Sequence, residues 1–423
     1  MLSDRHPEEG VRAEIGNIES IEGLRGVAVT LVVLFHYLVV RTPAAADPWN
    51  AFVSSHHALA VIVGNGYLGV DLFFLITGFL LVLPWARHAY HGRNPPSTKD
   101  FYIRRVRRIV PAYYVQLAVL LGVVMPILHG IGYWKRDIEF IGYNAVAHLL
   151  FLHYTTPISS ASMSANGPLW TLALEAQYYV LLPLIAPRLV RAPVRWALAL
   201  VAAAVAWRWL SLHDLGPLVR FEMGLGARWG LTEDIVRHLI LTQLPGYLAH
   251  FALGILLGIA WLTLRRPDPG SRRDAGWSVV ALAALGLLYW LYGMGGGAWT
   301  GTWTWLVTAA LIAVAMFATV VRGVRIGDAL LARGPLRFVG RVSYSAYLYH
   351  FPLLLVWNEW RVLDGDWASL PAYLAALALV SWLSYRFVEV PFMRRTARSG
   401  SARAQSHRER REDGEDLQQR HAP

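Results

Sequence analysis

Arg25 and His36 sit in one apolar run, Glu22 to Val40, and are the pair in this chain best placed to do chemistry. Ionisable groups inside a hydrophobic helix are costly and tend to mark function. They are eleven residues apart. On a helix that spacing leaves them within about 20° of each other and about 17 Å apart along the axis, so a guanidinium and an imidazole point the same way at two depths. A snorkelling arginine and a histidine bonded to a neighbouring helix would read the same way.

Two carboxylates recur in similar settings: Asp71 in Gly69-Val70-Asp71-Leu72-Phe73-Phe74, and Glu175 in the run from Trp170 to Tyr179. Each has a plainer role, Asp71 as a helix cap and Glu175 as the partner of an arginine. Counted from the starts of their helices, His36, Asp71 and Glu175 all fall in the outer half and are expected to share one outward cavity. There a carboxylate would fix the tautomer of the histidine and stabilise its imidazolium, the arrangement of a general base. Gln177 points away from Glu175 and is not expected to serve the same pocket. At the opposite end, Phe101 to Pro111 carries Arg104, Arg105, Arg107 and Arg108. Arg105 and Arg108, and equally Arg104 and Arg107, are three apart, so each pair faces one way and suits a phosphate. The same cluster would also anchor a helix on anionic lipid.

These residues must be held by membrane helices. The chain has 423 residues, 55% of them hydrophobic and 16% charged, far from a soluble composition at this length. The expectation is an all-α polytopic membrane protein with ten spans, at 23–41, 67–86, 110–128, 170–188, 195–211, 245–264, 276–293, 302–321, 342–359 and 371–390. The net charge of +11 does not point to nucleic acid, because the arginines lie in short connections between apolar runs. They crowd alternate connections, which places both termini in the cytoplasm. Residues 138–154 would upset that alternation if they crossed, so they are expected to lie on or dip into the outer face. The loop 212–244 is expected to form a short outer cap. Residues 1–22 read as a cytoplasmic leading segment and 394–423 as a disordered tail, flanking a membrane domain at 23–393. Cysteine is absent, which removes disulfides, thiolate metal sites and a cysteine nucleophile; no metal site is expected.

The motifs together resemble the membrane-bound acyltransferase 3 family, O-acyltransferases of surface polysaccharides, lipid-linked sugars and some antibiotics. The resemblance covers nearly all of residues 20–393. It rests on Ile21 to Ala28 with Phe35-His36, on Gly69 to Phe74 with Thr77-Gly78-Phe79, and on Arg105-x-x-Arg108-x-x-Pro111. Trp170 to Tyr179, Gly340 to His350 and Glu389-Val390-Pro391-Phe392 complete it. Two positions depart from the family pattern: Thr77 where serine is frequent, and Glu175-Ala176 where two acids are. Many members carry a hydrolase-like domain after the last span; here polar residues follow, so a second transferase is expected to be a separate protein.

The resemblance implies an acyl-CoA donor, acetyl-CoA in the first instance, used as a co-substrate with no permanently bound cofactor. It implies a hydroxyl acceptor on a carbohydrate or glycosylated small molecule, and a bacterial cytoplasmic membrane as the setting. The arginine cluster (Arg104, Arg105, Arg107 and Arg108) would hold CoA phosphates, and Arg25 would balance charge on the donor or on the developing oxyanion. His36 would act near the acyl group, by direct general-base transfer or through an acyl-histidine. Asp71 and Glu175 would assist it, and Trp170, Tyr347 and His350 would line the cavity. The alternative is a proton-coupled transporter or flippase with His36, Asp71 and Glu175 as its relay.

Overall fold

The computed structural model describes residues 7–41, 47–130, 132, 138–156, 164–226, 232–264, 271–294, 303–324, 327, 331 and 334–393, with side chains of the first helix described from Glu19. The described residues contain no strand. In chain order the helices are α1 (Pro7–Arg41), α2 (Pro48–Ser55), α3 (His57–Gly64), α4 (Leu68–His91), α5 (Thr98–Val119), α6 (Ile138–Leu149), α7 (Trp170–Leu189), α8 (Pro193–His213), α9 (Gly216–Gly226) and α10 (Glu233–Leu241). They continue with α11 (Leu244–Thr263), α12 (Arg272–Gly293), α13 (Thr304–Met316), α14 (Gly334–Arg341), α15 (Ser343–Glu359) and α16 (Ser369–Ser384). Three of the long helices contain or end in a π turn: Leu120–Val124 after α5, Phe317–Val321 after α13 and Tyr385–Glu389 after α16.

Among the described residues, nine helices are long and apolar enough to cross a bilayer. Nine of the ten expected spans fall on them. The remaining one, 342–359, is α15, a helix of 17 residues, about 26 Å long. Residues 138–149 form a helix of only 12 residues, too short to cross. The expected cap at 212–244 is α9 and α10, where Val219, Val236 and Ile240 bury against Trp207. Residues 7–22 of the leading segment continue into the first span as one helix, α1. Residues 394–423, expected to be a disordered tail, lie outside the described residues.

Local signals start the helices. Asp47 accepts from the Trp49 amide at 3.0 Å, and Ser97 from the Asp100 amide at 3.2 Å, satisfying amides that the first turn leaves free. The far end of α1 is pinned by charge. Arg41, fully buried, reaches Asp47 at 3.1 Å and Asp364 at 2.6 Å, while the Tyr37 hydroxyl donates to Asp47 and lies 3.0 Å from the Ser369 hydroxyl. Further back, between Glu19 and Gly26, α1 packs so closely on α14 that a Cβ added to Gly26 would overlap the Leu336 carbonyl, and one on Gly340 the Glu22 carbonyl. Glu19–Arg337 at 2.6 Å and Glu22–Arg341 at 3.2 Å close the same seam. The stretch of α1 that carries Arg25 and His36 is thereby held on either side.

Candidate active site

Arg25 leaves α1 to donate from Nη2 to Ser343 Oγ of α15 at 3.0 Å. Beside it α5 brings Arg105 and Arg108, α7 brings Glu175 and Tyr179, and α4 brings Thr77, around a cavity of about 90 Å³. The Arg105 guanidinium lies 5.6 Å from the Phe101 ring and 5.7 Å from the Tyr179 ring. Its Nε is buried without a hydrogen-bond partner. Glu175 accepts from Tyr179 and, at 3.4 Å, from Thr77. Glu389, on the π turn after α16, is buried and accepts from Ser345. Three guanidiniums aimed at one small space make an anion-attracting site. Of the two arginine pairs, the cavity takes Arg105 and Arg108; Arg104 is exposed and Arg107 is not in its wall.

Tyr347 forms the end of this cavity nearest the imidazoles. Its hydroxyl donates to the Pro168 carbonyl at 3.0 Å and receives the Thr171 hydroxyl at 2.9 Å. One turn further along α15 is His350, its ring centroid 5.4 Å from that of Tyr347. His350 in turn meets His36: Nε2 lies 3.2 Å from His36 Nδ1. His350 Nδ1 is 2.7 Å from the Tyr347 carbonyl and His36 Nδ1 is 2.9 Å from the Val32 carbonyl. Only a protonated Nδ1 can donate to a carbonyl, so these contacts assign the proton of each ring to Nδ1. His36 Nε2 is then a free lone pair. Phe35 and Phe351 pack edge-on to its ring at 5.1 and 5.2 Å.

The expectation that His36, Asp71 and Glu175 share one outward cavity is overturned. Glu175 contacts Thr77, which lies six residues beyond Asp71, or about 9 Å further along α4. It belongs to the arginine cavity. Asp71 faces a different histidine, His250 of α11, with Oδ1 3.0 Å from Nε2. His36 has a second imidazole as its partner rather than a carboxylate. Asp71 thereby stands outside the file of side chains that runs from the arginine cavity to His36. Trp170 stands apart from the arginine cavity, packed against Tyr154 at 5.3 Å and Tyr247 at 5.5 Å.

Sequence reasoning passed over His250 and gave no site role to Tyr179, Ser343 and Glu389, although these three lie in the blocks that carry the family resemblance. His250 carried the signal used for His36, an ionisable group in an apolar run. Tyr179 stands one turn from Glu175 on α7.

Span-length helices enclosing an anion-attracting cavity, with a free imidazole nitrogen beyond its far wall, define a polytopic membrane protein with the parts of a group-transfer site. Residues 18–386 match the acyltransferase domain family, and the chain belongs to that family. Among curated proteins it is similar to the peptidoglycan O-acetyltransferase OatA of Listeria monocytogenes, 23% identical over 416 residues, covering 88% of this chain and 55% of the relative. It is also similar to the O-acetyltransferase OatA of Staphylococcus aureus, 25% identical over 362 residues, covering 80% of this chain and 55% of the relative. The chain thus spans about half the length of these relatives. No solved structure matches it.

Proposed function

We propose that this chain is an integral membrane O-acetyltransferase that moves an acetyl group from acetyl-CoA to a hydroxyl of a cell-envelope carbohydrate. The observation that carries this reading is the file of contacts from the arginine cavity through Tyr347 and His350 to His36. Arg25, Arg105 and Arg108 hold a phosphate of the donor. The donor's flexible arm covers the distance of about 17 Å along α1 between Arg25 and His36. His36 Nε2 takes the proton of the acceptor hydroxyl as its oxygen attacks the thioester carbonyl. The C–O bond forms, the C–S bond breaks and the thiolate leaves. His350 is a positioning residue, holding the Nδ1 side of His36. Asp71 acts at a distance from this step, by holding His250.

The relatives support the carbohydrate class, since one is named for peptidoglycan. The arginine-rich connections support an orientation with both termini in the cytoplasm of a bacterial cell and the arginine cavity toward that side. The test is reconstitution of the full chain in nanodiscs with labelled acetyl-CoA and muropeptide acceptors. Label is expected on the glycan as an alkali-labile ester. Transport of acceptor in the absence of acetyl-CoA, with no ester formed, would overturn the reading.

A further inference from the structure

A second, larger cavity of about 570 Å³ lies between α1, α4, α12 and α13, apart from the arginine site. Its walls are mainly aliphatic, with Leu31 of α1, Leu72 of α4, Leu285 of α12 and Met316 of α13 among them, and a few polar side chains such as Asn65 and Thr319. Along α12 the lining runs from Ser278 to Tyr292, about 21 Å of helix. α1, α4 and α12 are of membrane-crossing length, as is α13 taken with its π turn. Water would need two to four polar partners per molecule, and walls that are mainly aliphatic supply few of them. Hydrocarbon, which surrounds the helices in a membrane, gains dispersion contacts along the whole lining.

Positive charge gathers just outside one end of the cavity. Ser278 and Val324 line that end; Trp277 and Arg322, one and two residues from them in sequence and outside the lining, stack on each other, with the guanidinium 5.3 Å from the ring. Arg322 Nε is buried without a hydrogen-bond partner, and no carboxylate pairs with this arginine among the described residues. Arg272 and Arg273, exposed on the first turn of α12, lie toward the same end. We propose that this cavity holds an acyl chain of a membrane glycerophospholipid whose phosphate is bound by Arg322. The apolar walls take the chain, the unpartnered guanidinium takes the charged oxygens, and the two exposed arginines add attraction to an anionic headgroup.

The test needs no catalytic activity and so stands apart from the function proposed above. The full chain is purified in mild detergent and its retained lipids are quantified by mass spectrometry. Wild type is compared with Arg322→Gln, with the cavity-filling double variant Ala281→Phe/Ala315→Phe, and with Arg386→Gln as an exposed control. Wild type and Arg386→Gln are expected to retain about one glycerophospholipid per chain, and Arg322→Gln and the double variant at least about fivefold less, with circular dichroism and elution unchanged. If the double variant does not fold, Arg322→Gln decides alone. Equal retention by wild type and Arg322→Gln, or retention only of detergent or of an isoprenoid phosphate, overturns the proposal.

Discussion

Replacing His36 and His350 in turn by glutamine separates a base from the residue that orients it. His36 Nδ1 is engaged by the Val32 carbonyl at 2.9 Å and by His350 Nε2 at 3.2 Å, and this double hold exposes Nε2 as the lone pair. His36→Gln removes the base itself. General-base catalysis is typically worth about 10²- to 10⁴-fold, or about 3–5 kcal/mol of barrier. His350→Gln leaves the Val32 bond in place and removes one hydrogen bond of two, about 0.5–1.5 kcal/mol net. That predicts a fall in kcat of about 2- to 13-fold, with the KM for acetyl-CoA unchanged. The assay is transfer of labelled acetyl from acetyl-CoA by the full chain in nanodiscs, with kcat and KM resolved for each variant. If His350→Gln falls as far as His36→Gln, or if His36→Gln stays within about tenfold of wild type, the division into base and positioning residue is wrong.

Arg105→Gln and Arg108→Gln should each raise the KM for acetyl-CoA about 10- to 150-fold, the worth of a charge-assisted hydrogen bond. Arg104→Gln, on the exposed side of α5, should leave it unchanged, and equal effects at all three would place phosphate recognition outside the cavity. Gly340→Ala should lower the thermal midpoint by the equivalent of about 1–3 kcal/mol, because its Cβ would meet the Glu22 backbone. Gly276→Ala, in open space, is the control that should not destabilise. Burial pushes the His148 imidazole down to about 3, helped by the neighbouring His153, and pushes His153 down to about 4. In the unfolded chain both titrate near 6.5. Their contribution to stability is therefore complete above about 6.5 and declines as pH falls toward 4, because the unfolded chain takes up protons that the folded one refuses. Thermal midpoints in detergent should fall across that window and fall less for His148→Gln; a midpoint that rises on acidification would contradict the assignment.

The spans were readable because crossing a bilayer needs only length and apolarity, properties of consecutive residues. Relative depth was not. Counting from the start of each helix assumes that all starts lie level, and the contact of Glu175 with Thr77 shows that α7 enters lower than α4 does. The pairing of Asp71 with His250 was hidden for a related reason: it depends on α4 lying against α11, which no local pattern encodes. The choice between the two arginine pairs was available in principle. Phe101, Arg105, Arg108 and Ala112 fall at i, i+4, i+7 and i+11, one stripe of a helix. The buried Phe101 and Ala112 at its ends mark the stripe as inward-facing. Arg25 and His36 were found because an eleven-residue spacing on one helix needs no tertiary information at all.

The size of the arginine cavity constrains how a donor can use it. About 90 Å³ is well below the roughly 300–1,000 Å³ of sites that bury a whole small molecule. It fits a single phosphate-sized group, so on the proposed reading the nucleotide stays outside and only one of its phosphates enters. Three guanidiniums face Glu175 in the wall and Glu389 behind it. One positive charge is left unmatched in a setting of low dielectric, where a dianionic phosphate gains more than in water. With that phosphate fixed, the distance of about 17 Å from Arg25 to His36 sets the reach required of the donor's arm and says nothing about the acyl group. Selection of the acyl chain then falls to the far end of the path. There Phe35 and Phe351 stand 5.1 and 5.2 Å from the His36 ring. Two rings that close favour a short acyl group at the base, and Phe351→Ala is the substitution that should let a longer one in.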